Sequence, residues 1–146
     1  MEWMLMPYRR YAEFHGRSRR MEYWMFTLFS LIVMAACATL MFAGGLTFSE
    51  SGEPPEFGVL FWIGAVLFAL FALGSMIPSI ALTIRRFHDR DMSGWWYLGF
   101  IVLGFIPIVG NIASIVNLVI MALPGTQGAN RFGDDPINPT SADIFS

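Results

Sequence analysis

Three long stretches of this chain carry no charge: Tyr23 to Ser49, Phe57 to Ile84, and Met92 to Asn130. Each exceeds the roughly 20 apolar residues needed to cross a hydrocarbon core of about 30 Å at 1.5 Å per residue. Hydrophobic helices are therefore expected near residues 24–46, 58–83 and 95–123. A soluble three-helix bundle would need polar outer faces, yet these segments are apolar around nearly their whole circumference. The composition agrees, at 55% hydrophobic and 14% charged residues, which is more apolar than a soluble surface permits. The expected fold is an all-α polytopic membrane protein with three principal hydrophobic segments. Residues 1–146 read as one membrane domain, with 1–22 as a cytoplasmic lead and 124–146 as a polar tail.

The distribution of arginine orients these segments. Arg9, Arg10, Arg17, Arg19 and Arg20 precede the first run, and Arg85, Arg86 and Arg90 follow the second, whereas the Glu50 to Glu56 connection holds three glutamates and no positive residue. Retention of arginine on the cytoplasmic side places the N-terminus inside and the first connection outside. Trp24, Trp62, Trp95 and Trp96 fall near the span ends, where amphipathic rings meet headgroups. The third segment is interrupted by Gly104, Pro107, Gly110 and Asn111. Proline removes a backbone donor and clashes with the preceding turn, which favours a kinked crossing. The alternative is a re-entrant hairpin returning the tail to the cytoplasm, with protein or water around its turn.

Between the second and third runs, residues 85–96 concentrate five of the twenty formal charges and one of two histidines. If the helix continues into this island, Arg85 and Arg86 both lie within one turn of Asp89, and such solvated pairs each stabilise a helix end by about 0.2 to 0.5 kcal/mol. Ser93-Gly94 then supplies a turn into the tryptophan-led segment. One reading makes the island a charged hinge that fixes topology and helix angle. The other makes it a recognition surface for anionic lipid or a membrane-protein partner, because arginine's planar donors suit phosphate and carboxylate.

Other chemistry is weakly supported. His88, Asp89, Asp91 and His15 offer metal-ligand types without a defined geometry. His88, Asp89 and Ser93 lack a nucleophile elbow. No enzymatic activity, metal, cofactor or nucleic-acid partner is expected. The lone Cys37 excludes an intrachain disulfide; Met34-Ala35-Ala36-Cys37 superficially matches a lipoprotein cleavage box, but apolarity continues beyond it, so a packing cysteine is the simpler reading. Ala35 and Thr39, like Ala65 and Ala69, are four apart and suit close helix approach. Their first use is packing within the chain, with a homo-oligomer as a further candidate. In the tail, Gly128, Asn130, Gly133 and Pro136 favour successive turns whose amides suit anions, and Arg131 has Asp134, Asp135 or the island within its reach.

Three segments together carry a family resemblance: Phe14-His15-Gly16-Arg17-Ser18-Arg19-Arg20-Met21-Glu22-Tyr23-Trp24, the Arg85 to Trp96 island, and Pro124-Gly125-Thr126-Gln127-Gly128-Ala129-Asn130-Arg131-Phe132-Gly133-Asp134-Asp135-Pro136. The chain resembles the DUF805 family of small bacterial inner-membrane proteins. This resemblance implies a multispanning protein of the bacterial inner membrane and transfers no catalytic residue. The candidate interaction or lipid-binding residues are Arg17, Arg19, Arg20, Arg85, Arg86, His88, Asp89, Arg90, Trp95, Trp96, Asn130 and Arg131. The expected function is an interaction or regulatory component at the cytoplasmic membrane face, with an oligomeric transporter or channel component as the alternative.

Overall fold

The computed structural model describes residues 2–47 and 56–138. The Gly52 and Pro54-Pro55 turn signals of the acidic connection lie outside the described residues, as does the tail beyond Asn138. Among the described residues the fold is helical: α1 (Glu2–Arg9), α2 (Arg20–Ala43), α3 (Val59–Asp89), α4 (Trp95–Gly104) and α5 (Val109–Ala122). A minimal antiparallel pair, β1 (Leu46–Thr47) and β2 (Glu56–Phe57), aligns Leu46 with Phe57 between α2 and α3.

With 24 and 31 residues, α2 and α3 are each long and apolar enough to cross a bilayer, and little of either apolar stretch is buried by the protein itself. The second helix runs further than the expected end at residue 83. No glycine or proline interrupts Arg85 to Asp89, and Arg86 and His88 in the last turn suit the negative end of the helix dipole. The helix ends at Asp89 and the chain turns away at Asp91, whose φ of 58° is left-handed. The Met92 N–H bonds the Phe87 carbonyl and the Asp91 N–H bonds that of His88, at 3.0 and 2.9 Å, forming a Schellman termination.

The expected third helix is two helices forming a hairpin, which corrects the continuous kinked crossing. A side chain at Gly94, before α4, would meet Ile84 and His88, while the Met121 and Leu123 carbonyls, at the end of α5, accept from Arg86. Both ends of the hairpin thus return to the last turns of α3. The reversal occurs at Ile108, with φ 71° and ψ −55°. There the Val109 N–H reaches the Pro107 carbonyl at 2.8 Å, closing a γ-turn of the strained positive-φ kind. At Gly110 a Cβ would come within 2.8 Å of the Gly104 carbonyl oxygen, so glycine permits the helices to meet just beyond the turn. The interrupting residues therefore reverse the chain instead of bending it.

The chain divides into two compact units. Thr27–Met76 holds most of α2 and the first half of α3 as an antiparallel pair. Gly64 is buried there: an added Cβ would lie 2.9 Å from the Cys37 carbonyl oxygen and the Met41 nitrogen. Cys37 is buried at this approach, in the packing role expected of it. The anticipated small-residue faces are not the contact, since Ala35, Thr39 and Ala69 are exposed. The other unit comprises Met1–Phe26 and Ile77–Ser146. Its apolar core includes Phe26, Leu82, Phe87, Ala113 and Met121, with Phe87 stacked on Phe100 at 5.9 Å.

Candidate functional site

The second unit is organised around buried charge. Arg17, Glu22, Arg85, Arg86 and Asp89 are all at least 95% buried. Isolated charges in such surroundings would be costly, so their partners explain their placement. Asp89 accepts from both sides: Arg17 reaches its Oδ1 at 3.0 Å, and Arg86 binds its Oδ2. The remaining Arg17 donors hold the Gly128 carbonyl, at 2.6 Å, and that of Thr126. Arg86 also binds the Met121 carbonyl at 3.2 Å and that of Leu123, supplying donors to the unpaired carbonyls at the end of α5.

Arg85 points to a different partner set. Its guanidinium binds Glu22 Oε1 at 3.2 Å, Ser18 Oγ at 2.9 Å and the Glu13 carbonyl at 2.9 Å. Of the two island pairs anticipated for Asp89, the Arg86 pair forms, whereas Arg85 turns to Glu22 on α2. These contacts are interior, not the solvated helix-surface pairs expected from spacing. Their geometry ties the lead to α3, and α3 to the tail.

Reciprocal capping completes the arrangement. The Thr126 N–H and Oγ1 both reach the Asp89 carbonyl, at 2.8 and 3.2 Å, and Asn130 Nδ2 donates to the His88 carbonyl at 2.9 Å. The tail thereby satisfies the last carbonyls of α3, while Arg86 satisfies those of α5. His88 stacks on Phe132 with ring centroids 4.0 Å apart, and its Nδ1 lies 3.1 Å from the Gly16 carbonyl, a geometry that requires the ring nitrogen to donate. The Asp89 carboxylate is engaged by arginines, so the geometry does not align it behind His88 as an acyl-transfer triad would require.

The tail turns bind an anion of the chain itself. Asp135 receives the Gly128 N–H at 3.1 Å and the Ile137 N–H at 2.9 Å. These donors hold its carboxyl below the ordinary aspartate range, the Ile137 N–H being the largest cause. Arg131 pairs with Asp91 at 3.1 Å, choosing the island over Asp134 and Asp135. In the lead, Arg10 meets Glu13 at 2.6 Å; this hydrogen bond raises the arginine pKa and lowers that of the glutamate.

The candidate residues therefore divide. Arg17, Arg85, Arg86, His88 and Asp89 are buried, while Asn130 and Arg90 are partly buried and Arg90 binds the Pro124 carbonyl. Arg20, Trp95, Trp96 and Arg131 are exposed, and Arg19 is half-buried under a cation–π contact with Trp3 at 5.4 Å. Sequence reasoning did not single out Ser18, Glu22 or Thr126 as partners. Glu22 carried a usable signal, as the one acid among the arginines of residues 17–22, placed immediately before a charge-free run. Among the described residues, no group of three or more His, Cys, Asp or Glu could hold a metal ion.

Long apolar helices left largely unburied by protein, joined to a tightly satisfied polar node, define a helical membrane protein. The chain belongs to the family described as "Protein of unknown function (DUF805)", whose profile matches residues 11–134. Inner membrane protein YhaI of Escherichia coli strain K12 is 40% identical over 136 residues, covering 93% of this chain and 96% of the relative. Inner membrane protein YhaH of the same strain is 35% identical over 136 residues, covering 93% and 97%. Uncharacterized protein YiiR of that strain is 31% identical over 141 residues, covering 84% of each. No solved structure matches the chain.

Proposed function

We propose that this chain is a multi-pass interaction or regulatory component of the bacterial inner membrane, with its N-terminus and polar node on the cytoplasmic side. The carrying observation is the closure of that node: Arg17, Arg85 and Arg86 spend their donors on groups of the same chain. Buried, satisfied arginines suit holding elements together, and the exposed residues around them suit contact with another molecule. All nine arginines lie in the lead, in the first turn of α2, near the end of α3 or in the tail, which supports cytoplasmic placement. At about 15 and 21 Å, α4 and α5 are too short to cross alone. Their hairpin geometry supports a re-entrant element.

Site-specific photo-crosslinking in living cells tests this role. Probes replacing Trp95 and Arg131 on the exposed polar end are expected to give discrete protein adducts, whereas a probe replacing Leu70 on the apolar surface reports mainly lipid. Trp95 and Leu70 are 76% and 63% exposed, so both sites are accessible to a probe. No adduct above the Leu70 background would overturn the interaction role.

One observation favours transport as a second reading. Asn117 Oδ1, on α5 of the broken hairpin, is buried without a partner among the described residues. An unsatisfied amide oxygen within one arm of a broken membrane hairpin is a polar foothold for an ion or solute. Asn111, one of the residues that interrupt the third segment, is exposed. Reproducible flux in proteoliposomes that is abolished by Asn117→Leu would support transport; flux unchanged by that substitution would remove this foothold.

A further inference from the structure

The groove beside the start of α2 has the two chemical characters of an amphiphile site. Met21, Trp24, Met25 and Ala122 line a cleft of about 500 Å³ that also carries Arg19 and Arg20. The same arginines border a pocket of about 230 Å³ lined by Pro124 to Gln127. Neither arginine makes an ion pair among the described residues. Arg19 contacts the Trp3 ring, and Arg20 donates one long hydrogen bond, 3.5 Å, to the Ala122 carbonyl. The carboxylates bordering the smaller pocket are engaged elsewhere: Asp89 by Arg17 and Arg86, and Asp135 by backbone N–H groups. The head of the groove is left with a net positive charge, two arginines against the single carboxylate, Asp135, that no arginine pairs.

We propose that this groove binds an anionic phospholipid, with its phosphate on Arg19 and Arg20 and an acyl chain along Met21, Trp24, Met25 and Ala122. Guanidinium forks match phosphate oxygens, and their charge selects an anionic headgroup over a zwitterionic one. The adjoining apolar trough selects an acylated ligand over free phosphate. This assignment rests on the polar end facing the cytoplasmic membrane interface.

Native mass spectrometry of the full chain in detergent, offered equal phosphatidylglycerol and phosphatidylcholine, tests the site. Preferential retention of phosphatidylglycerol is expected, weakened roughly thirty-fold when Arg19→Gln and Arg20→Gln are combined. Ala122→Phe fills the trough while retaining both arginines and should also weaken retention; excess glycerol phosphate should not displace the lipid. Equal retention of both lipids, unchanged binding by the arginine variant, or displacement by glycerol phosphate would overturn the site. The arginine variant leaves the Arg17–Asp89–Arg86 contacts in place, and a thermal melt checks its folding; if it does not fold, loss or retention in Ala122→Phe decides. Persistence of Trp95 and Arg131 crosslinks without lipid selectivity would overturn this site while sparing the interaction role.

Discussion

Gly125 has no room for a side chain because the Asp89 carboxylate occupies that space. A Cβ would lie 2.0 Å from Asp89 Oδ2, whose carboxylate is pinned between Arg17 and Arg86. Gly125→Ala should therefore displace the carboxylate and lower stability by about 3 kcal/mol, in the range for breaking a buried ion pair. Thermal unfolding in mild detergent checks this against Gly99→Ala, where nothing lies within 4 Å of the added Cβ and no loss is expected. Asp135 gives a pH prediction of defined sign. Its folded-state pKa lies below the ordinary aspartate value, first because of the Ile137 N–H, so its stabilising contribution is fully present above about pH 4 and is lost as pH falls through the lowered value. Carbon-detected NMR titration should place its midpoint below that of an unperturbed aspartate; a midpoint at or above the unperturbed value would contradict the anchoring. The sequence made Arg86 and Asp89 legible as helix neighbours. It did not reveal that Arg85 would choose Glu22, because that pairing joins residues 63 apart.

At the scale of elements, the interruption in the third apolar run was readable from Gly104, Pro107 and Gly110, but its outcome depends on backbone angles that residue propensity does not supply. Ile108 is β-branched and adopts φ 71°, a conformation sustained by the contacts around it. Ile108→Gly should stabilise the hairpin by about 1 kcal/mol, because glycine enters this region without the Cβ conflict. Gly110→Ala should act in the opposite direction, since its Cβ would meet the Gly104 carbonyl oxygen at 2.8 Å. Hydrogen exchange at Val109 and Gly110, after correction for intrinsic rates, reports both changes locally: slower for the first and faster for the second. The end of α3 was similarly obscured. A run of charges suggested a connection, whereas burial against Glu22, Asp89 and the α5 carbonyls keeps those arginines within the helix and its surrounding contacts.

At the scale of the molecule, apolar run lengths made the helical membrane character legible, and the three quoted segments identified the family. Their convergence was not legible, because it depends on the hairpin returning the tail to the last turns of α3, where Thr126 and Asn130 bind its carbonyls. The proposed topology, two spans followed by a re-entrant hairpin, differs from three simple crossings: it leaves the N-terminus and the chain after α5 on the same side, and the arginine distribution supports the cytoplasm as that side. Reporter fusions before Glu2 and after Asn138 should therefore both show cytoplasmic activity, while an insertion in the acidic connection should report the opposite side. The decisive comparison is the C-terminal fusion, because a third crossing exports it and a hairpin retains it. Ile108→Gly should preserve cytoplasmic activity, whereas replacing Gly104, Pro107 and Gly110 together with leucine should favour a continuous apolar helix and shift the reporter outward. An exported C-terminal reporter in the unaltered chain would overturn the re-entrant arrangement and the proposal that both polar termini share the cytoplasmic face.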